Sequence, residues 1–155
     1  IVAGGQERYH SVHHGLCALA DCDYVLIHDG ARPFVDQAML NRALETVRET
    51  GACVVGMPVK DTIKVCDNRQ FAVKTPRRSD LWMVQTPQVF SFPLIKKAYE
   101  KLMESGRSNV TDDAMVLETM EGHSVKLVEG SYRNIKITTP EDLLIAEAFL
   151  RAEKL

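Results

Sequence analysis

The sequence contains no apolar run approaching the roughly 20 residues that a helix needs to cross a bilayer, so no membrane partner is expected. It also lacks a basic block: the formal net charge is -2, and with no tract of Lys and Arg to follow a phosphodiester backbone, nucleic acid is a poor candidate partner. A compact anionic ligand held by a few placed cations stays open. Cys17, Cys22, Cys53 and Cys66 form neither a C-x-x-C pair nor a zinc spacing, and no secretion signal accompanies them. They read as buried or half-buried free thiols of a reducing cytoplasm. His10, His13, His14, His28 and His123 form no metal spacing. Hydrolase chemistry has no evident machinery, because G-x-S-x-G, H-E-x-x-H and a cysteine with an obvious histidine partner are all missing. Neither G-x-G-x-x-G nor a Walker A glycine run occurs, which weakens dehydrogenase and P-loop readings. No internal repeat or low-complexity segment is visible. The chain opens on Ile1-Val2-Ala3-Gly4-Gly5 without methionine, which reads as the end of a strand entering a glycine turn. The expectation is a truncated chain.

What is present suits one globular domain over residues 1–155: 45% of the residues are hydrophobic and 26% charged, enough for a core. Val12, Leu16 and Leu19 give the segment 8–20 one apolar helical stripe. Tyr24 to Ile27 is a short buried strand that stops abruptly at His28-Asp29-Gly30. Asp36 can cap a helix with face Met39, Leu40, Ala43, Leu44 and Val47, ended by Gly51. Residues 52–57 read as another buried strand. Helix, strand, helix, strand implies parallel pairing through right-handed crossovers.

From 61 to 75 the pattern alternates about a polar turn, Asp67 to Gln70, and predicts a hairpin. A lone hairpin is only marginally stable, so a second subunit is a reasonable support for an arm over residues 59–80. Residues 81–85 resume the sheet, Pro93 opens a helix closed by Gly106, and Thr111 caps a further helix ending near Gly122. Asp112 and Asp113 read as first-turn acids complementing its dipole. Residues 125–128 and 134–138 read as strands. Thr139-Pro140-Glu141-Asp142 forms a capping box before the last helix, 143–150.

Strand ends and the hairpin collect Asp29, Arg32, Lys60, Asp61, Thr62, Lys64, Arg78, Thr86 and Lys136. Carboxylate mixed with many cations is what phosphoryl chemistry needs, since charge on phosphoryl oxygens is neutralised by Lys, Arg or a metal held by a carboxylate. On the residues alone, blander readings stand beside this one. Asp29 and Arg32 also suit a turn-stabilising pair, Lys136 an outer strand face, Arg78 surface charge, and Thr62 and Thr86 a strand and its end. Gly5 suits a turn, Gln6 solvent and Ser11 a helix cap.

Five motifs in order then carry a resemblance: Gly4-Gly5-Gln6-Glu7-Arg8 with Ser11-Val12, His28-Asp29-Gly30-Ala31-Arg32-Pro33, Asp61-Thr62-Ile63-Lys64, Thr86-Pro87-Gln88, and Asn134-Ile135-Lys136-Ile137-Thr138. From end to end the chain resembles the 2-C-methyl-D-erythritol 4-phosphate cytidylyltransferases of the non-mevalonate isoprenoid pathway. The resemblance implies an α/β fold, a Rossmann-like nucleotidyltransferase three-layer sandwich with a protruding β-hairpin arm. It implies that methylerythritol phosphate attacks the α-phosphorus of CTP and releases pyrophosphate, without a covalent enzyme intermediate. It gives catalytic roles to Asp29, Arg32 and Lys136, with Asp29 also near a metal (Mg²⁺ or another divalent cation) and Lys136 on the nucleotide phosphates. Gly5, Gln6 and Ser11 would lie against cytosine, with Gln6 standing where many relatives carry an acid. Thr62 and Arg78 of the arm would cross to the partner of a homodimer to hold the acceptor, and Thr86 would contribute nearby. The family's first strand and its glycine-rich loop with Arg and Lys have no counterpart here, so this chain alone is expected to be weak or inert. Alternatives are a ribitol 5-phosphate cytidylyltransferase, an inactive dimeric fragment, and a phosphate-sensing receiver domain, which would need a second acidic pair near the start of the fold that the chain lacks.

Overall fold

The computed structural model describes residues 1–152. Helices and strands follow in the order α1 (Arg8–Ala18), β1 (Tyr24–Ile27), α2 (Gln37–Thr50), β2 (Ala52–Pro58), β3 (Val65–Cys66), β4 (Ala72–Lys74), β5 (Trp82–Ser91), α3 (Phe92–Ser105), α4 (Asp113–Glu121), β6 (Lys126–Glu129) and α5 (Pro140–Ala152). One 3-10 turn, Arg78–Asp80, leads into β5.

The α2 signals act as expected. Asp36 accepts from Met39 N at 2.7 Å, Met39, Ala43 and Val47 are buried, and Gly51 ends the helix at φ 74. On β2, residues 52–57 are all buried because helices cover both faces of the sheet, which is why this strand reads as a continuous apolar run. Neighbours along a strand point to opposite faces. Ala52 and Phe90 therefore pack with Leu16 of α1, Ile95 and Tyr99 of α3 and Val116 of α4. Cys53, Val55 and Val89 pack on the other face with Met39, Ala43 and Val47 of α2. The result is the three-layer α/β sandwich.

Strand pairing differs from expectation. The order is β1-β5-β2-β6, with β5 inserted between β1 and β2 and antiparallel to both; only β2 and β6 pair in parallel. Strands β1 and β2 do run the same way, but they are not neighbours. The reason is the length of β5, which continues past residue 85 through Thr86-Pro87 to Ser91. Proline lacks the N–H of a ladder, and here the register shifts, with Val54 opposite Gln88 and Gly56 opposite Val84. Gln85, Thr86 and Pro87 thus stand against Val55 alone, an irregularity that accommodates the proline. Gly56 lets the strands approach there, since a Cβ would lie 2.9 Å from Met83 O.

Four further expectations are corrected. Residues 134–138 form no strand: their neighbour is the irregular turn after β1, and one backbone bond, Ile137 N to Ala31 O at 2.8 Å, builds no ladder. The cap of α4 is Asp112, which accepts from Met115 N at 2.9 Å, while the Thr111 hydroxyl faces Met115 Sδ. A carboxylate is the stronger acceptor, and Gln88 Nε2 fixes its other oxygen at 3.0 Å. Of the four free thiols only Cys53 is buried, and burial pushes it up to about 12. Cys17 lies off the Leu16 stripe, Cys22 sits in the loop before β1, and Cys66 is on the arm, so all three are exposed. Helix α1 ends at Ala18, leaving Leu19 46% exposed outside the stripe.

The last helix begins as its sequence predicts, with Pro140 in first position. Asp142 Oδ2 accepts from the backbone N–H of Thr138 and of Thr139 at 2.9 Å each, which holds its carboxyl below the usual range.

The hairpin forms as β3 and β4, with Val65 opposite Lys74 and Cys66 opposite Ala72. Asp67 Oδ1 closes its turn by accepting from Arg69 N and Phe71 N, both at 2.9 Å. Phe71 and Val73 remain 66% and 62% exposed. The base of the arm is tied down where Tyr132 donates to Pro58 O at 2.8 Å and the Lys60 ammonium lies 3.4 Å from the Tyr132 ring centre.

Replacing Asp112 with Ala removes both the cap and the partner of Gln88. It is expected to cost about 1–3 kcal/mol, whereas Thr111→Ala stays within about 0.5 kcal/mol of the parent; urea unfolding of both variants checks the order.

Candidate functional site

A cleft of about 270 Å³ opens beyond the carboxyl end of β1, lined among others by Arg8, Asp29, Arg32, Thr86, Asp112 and Lys136. Its floor is a closed hydrogen-bonded turn. Thr86 Oγ1 lies 3.0 Å from Asp29 N and 2.9 Å from His28 Nδ1, and His28 Nε2 lies 2.9 Å from Arg32 O. An amide only donates and a carbonyl only accepts, so the threonine hydroxyl accepts from Asp29 and donates to Nδ1 of a His28 protonated at Nε2. Arg32 N closes the turn on Asp29 O at 2.9 Å.

Three cations surround the Asp29 carboxylate. Lys136 Nζ is 3.0 Å from Oδ2, Arg8 Nε 3.4 Å from Oδ1 and Arg32 Nε 3.9 Å from Oδ2. Burial works to raise the Asp29 pKa, but hydrogen bonding and charge from Lys136 and then Arg8 outweigh it and hold the carboxyl below its usual range. Burial lowers the Arg32 pKa, with Asp29 opposing. Arg32 Nη1 donates to Asn134 O at 2.7 Å, while its buried Nε has no hydrogen-bond partner. Asn134 is itself buried, donating to Thr86 O at 2.9 Å, and so brings the 134–136 segment against β5.

The structure thus assembles Asp29, Arg32, Thr86 and Lys136 at one place. Gly5, Gln6 and Ser11 lie at the start of α1 next to Arg8, outside the cleft lining. Gly5 N donates to Ser11 Oγ at 2.9 Å, and a Cβ on Gly5 would run into His10 Cβ, so this turn requires glycine. Thr62 and Arg78 stand on the exposed arm, Arg78 donating to Lys60 O at 3.0 Å, and neither lines the cleft. A larger cavity, about 560 Å³, lies between residues 33–36 and α5. Its lining is mainly apolar, with Asp36, Arg133 and Glu147 as its charged members, whereas the smaller cleft gathers Arg8, Asp29, Arg32, Asp112 and Lys136.

Sequence reasoning missed what lies behind Arg8. Its Nη1 and Nη2 donate to the two carboxylate oxygens of Asp113 at 2.9 and 2.7 Å, and the Tyr99 hydroxyl also donates to Asp113 Oδ1. Asp113 stands in the first turn of α4, as its sequence predicts, and is in addition wholly buried against Arg8 and Tyr99. A signal was present: Asp113 precedes Val116 and Leu117 by three and four residues and so falls on the buried stripe of α4.

The 2-C-methyl-D-erythritol 4-phosphate cytidylyltransferase family matches residues 1–152. Proteins of that name from Alkaliphilus oremlandii and Lachnospira eligens are 49% and 53% identical to the chain over 155 and 152 residues, 99% and 97% of its length. The chain spans 65% and 67% of those relatives, about two thirds of their length. Among solved structures, the 4-diphosphocytidyl-2C-methyl-D-erythritol synthase of Anaerococcus prevotii superposes with a TM-score of 0.89 at 38% identity, covering 96% of this chain and 68% of that one. The 2-C-methyl-D-erythritol 4-phosphate cytidylyltransferase of Thermus thermophilus gives 0.85 at 38% identity, covering 96% and 71%. By the match along almost its whole length, together with the shared fold, the chain belongs to the 2-C-methyl-D-erythritol 4-phosphate cytidylyltransferase family.

Proposed function

We propose that this cleft serves transfer of a cytidylyl group from CTP to the phosphate of 2-C-methyl-D-erythritol 4-phosphate. The observation that carries the reading is one carboxylate, Asp29, among Lys136, Arg8 and Arg32 at a strand end. A phosphate oxygen of the acceptor bonds to the α-phosphorus of CTP, the bond from that phosphorus to the bridging oxygen breaks, and pyrophosphate leaves with the electron pair. No side chain becomes covalently attached. The protein aligns two polyanions and neutralises charge that moves from one oxygen to another.

Lys136, 44% exposed on a flexible stem, reaches the phosphates, and Arg32, whose Nε makes no hydrogen bond, adds positive charge beside the same oxygens. Thr86 fixes Asp29 beneath the acceptor through the backbone bond. Gly5, Gln6 and Ser11 contact cytosine at the start of α1. The donor set fits a divalent cation that arrives with its ligands: among the described residues no three acidic, histidine or cysteine side chains converge, and Mg²⁺ commonly takes one or two carboxylates and completes its shell with substrate phosphates and water. Asp29 would hold such an ion, whose contribution is neutralisation of phosphate charge. The exposed arm, with Phe71 and Val73 unburied, packs on a second copy and delivers Thr62 and Arg78 to the partner's acceptor site.

Incubating the chain with CTP, Mg²⁺ and methylerythritol phosphate is expected to release pyrophosphate only weakly, since the chain has no counterpart of the glycine-rich loop, with Asp29→Asn lowering that rate by at least about 100-fold. Release with ribitol 5-phosphate instead would reassign the acceptor, and release with neither would favour an inactive dimeric fragment of the same family. Mixing Asp29→Asn with Arg78→Ala protein is expected to restore activity that each lacks alone, through one intact composite site per mixed dimer. Failure of this complementation with both dimers intact would place Arg78 outside the reaction.

The depressed Asp29 pKa sets a sign for acid stability. Its contribution is complete above the ordinary value of about 3.9 and is lost as pH falls through the folded value. The difference in melting temperature between the parent and Asp29→Asn is therefore expected to be constant near neutrality and to shrink below about pH 4.

A further inference from the structure

The cations around Asp29 differ in how firmly they are held. Arg8 is fixed by a two-pronged bond to Asp113, whose burial leaves no water to take over, and the Tyr99 hydroxyl holds the same carboxylate. Each Nη gives one N–H to Asp113, and Nε faces Asp29 Oδ1 at 3.4 Å. Arg32 is tied through Nη1 to Asn134 O. Lys136 has one partner among these groups, Asp29 Oδ2 at 3.0 Å, and remains 44% exposed. A lysine so placed can give a phosphate all three of its N–H groups only by leaving the carboxylate. Leaving is costly if Asp29, only 17% exposed, then stands with no close cation.

We propose that Arg8, clamped by Asp113 and Tyr99, is a positioning residue that keeps Asp29 paired and oriented while Lys136 transfers to the substrate phosphates. This rests on the phosphate chemistry proposed above. Arg8 does not itself touch the reacting atoms; it lowers the cost of releasing Lys136. Charge around the clamp supports the division of labour. Burial alone would lower the Arg8 pKa, but Asp113 and Asp29 raise it, so the guanidinium stays charged, and burial next to Asp113 keeps Tyr99 protonated as a donor.

The test is a double-mutant cycle read by calorimetric binding of inorganic pyrophosphate to the chain. Arg8→Lys retains a cation for Asp113 but loses the fork that aims Nε at Asp29. It is expected to weaken pyrophosphate binding by roughly tenfold, because Asp29 then holds Lys136 more tightly. In an Asp29→Asn background, where nothing retains Lys136, the same substitution should leave affinity unchanged. An equal loss in both backgrounds would mean that Arg8 meets the phosphate directly, and no loss in either would mean that it is merely structural; both results overturn the proposal. If Arg8→Lys fails to fold, Tyr99→Phe keeps the fork, loosens Asp113 and should show the same dependence on Asp29 with a smaller change. In the turnover assay, Arg8→Lys should lower kcat by about 100-fold with less effect on the KM for CTP. The dependence on Asp29 in binding, without cytidylyl transfer, would sink the proposed reaction and leave the pairing role standing. No pyrophosphate binding by the unmodified chain would remove both.

Discussion

Three buried polar side chains on β5 hold the three segments that surround the cleft. Gln85 Nε2 donates to Ser131 O at 2.8 Å, Thr86 Oγ1 takes Asp29 N, and Gln88 joins Asp112 Oδ2 through Nε2 and Ala114 N through Oε1. Buried polar groups left unpaired are costly, so each bond both satisfies β5 and fixes a loop. The cleft inherits its rigidity from the centre of the sheet. This is why a strand carrying a proline runs through the middle of the molecule: an end at residue 85 would leave Asp29 and Asp112 without their support and the 131–134 segment with only its bonds to Gln85.

Much of this was legible in the sequence. Asp36, Gly51, Pro93, Gly106, Pro140 and the Asp67 turn each act through short-range chemistry, and each element boundary that they mark is found. The continuous run at 52–57 announced a strand covered on both faces. Strand order was not legible, because periodicity reports which faces are buried and says nothing of which strand lies alongside. The register shift opposite Pro87 was equally hidden, since Thr86-Pro87 looks locally like a terminus.

Of the candidate site, Asp29, Arg32 and Lys136 could be placed together because short motifs at strand ends converge in an α/β fold. The stripe of α4 marked Asp113 for burial, but its pairing with Arg8 could not be read, since a salt bridge spanning 105 positions leaves no local trace. Thr86 was legible as a site residue, but its means of acting was not. Its hydroxyl is spent on the Asp29 amide and His28, so it works through the floor of the cleft.

The fork between Arg8 and Asp113 also constrains how such a chain diverges. Loss of Arg8 alone leaves the wholly buried Asp113 carboxylate without its cation, whereas loss of Asp113 leaves Arg8, 36% exposed, still beside Asp29. Across a set of aligned sequences an acid at position 113 would therefore call for a cation at position 8, 105 positions away in order yet bound to it.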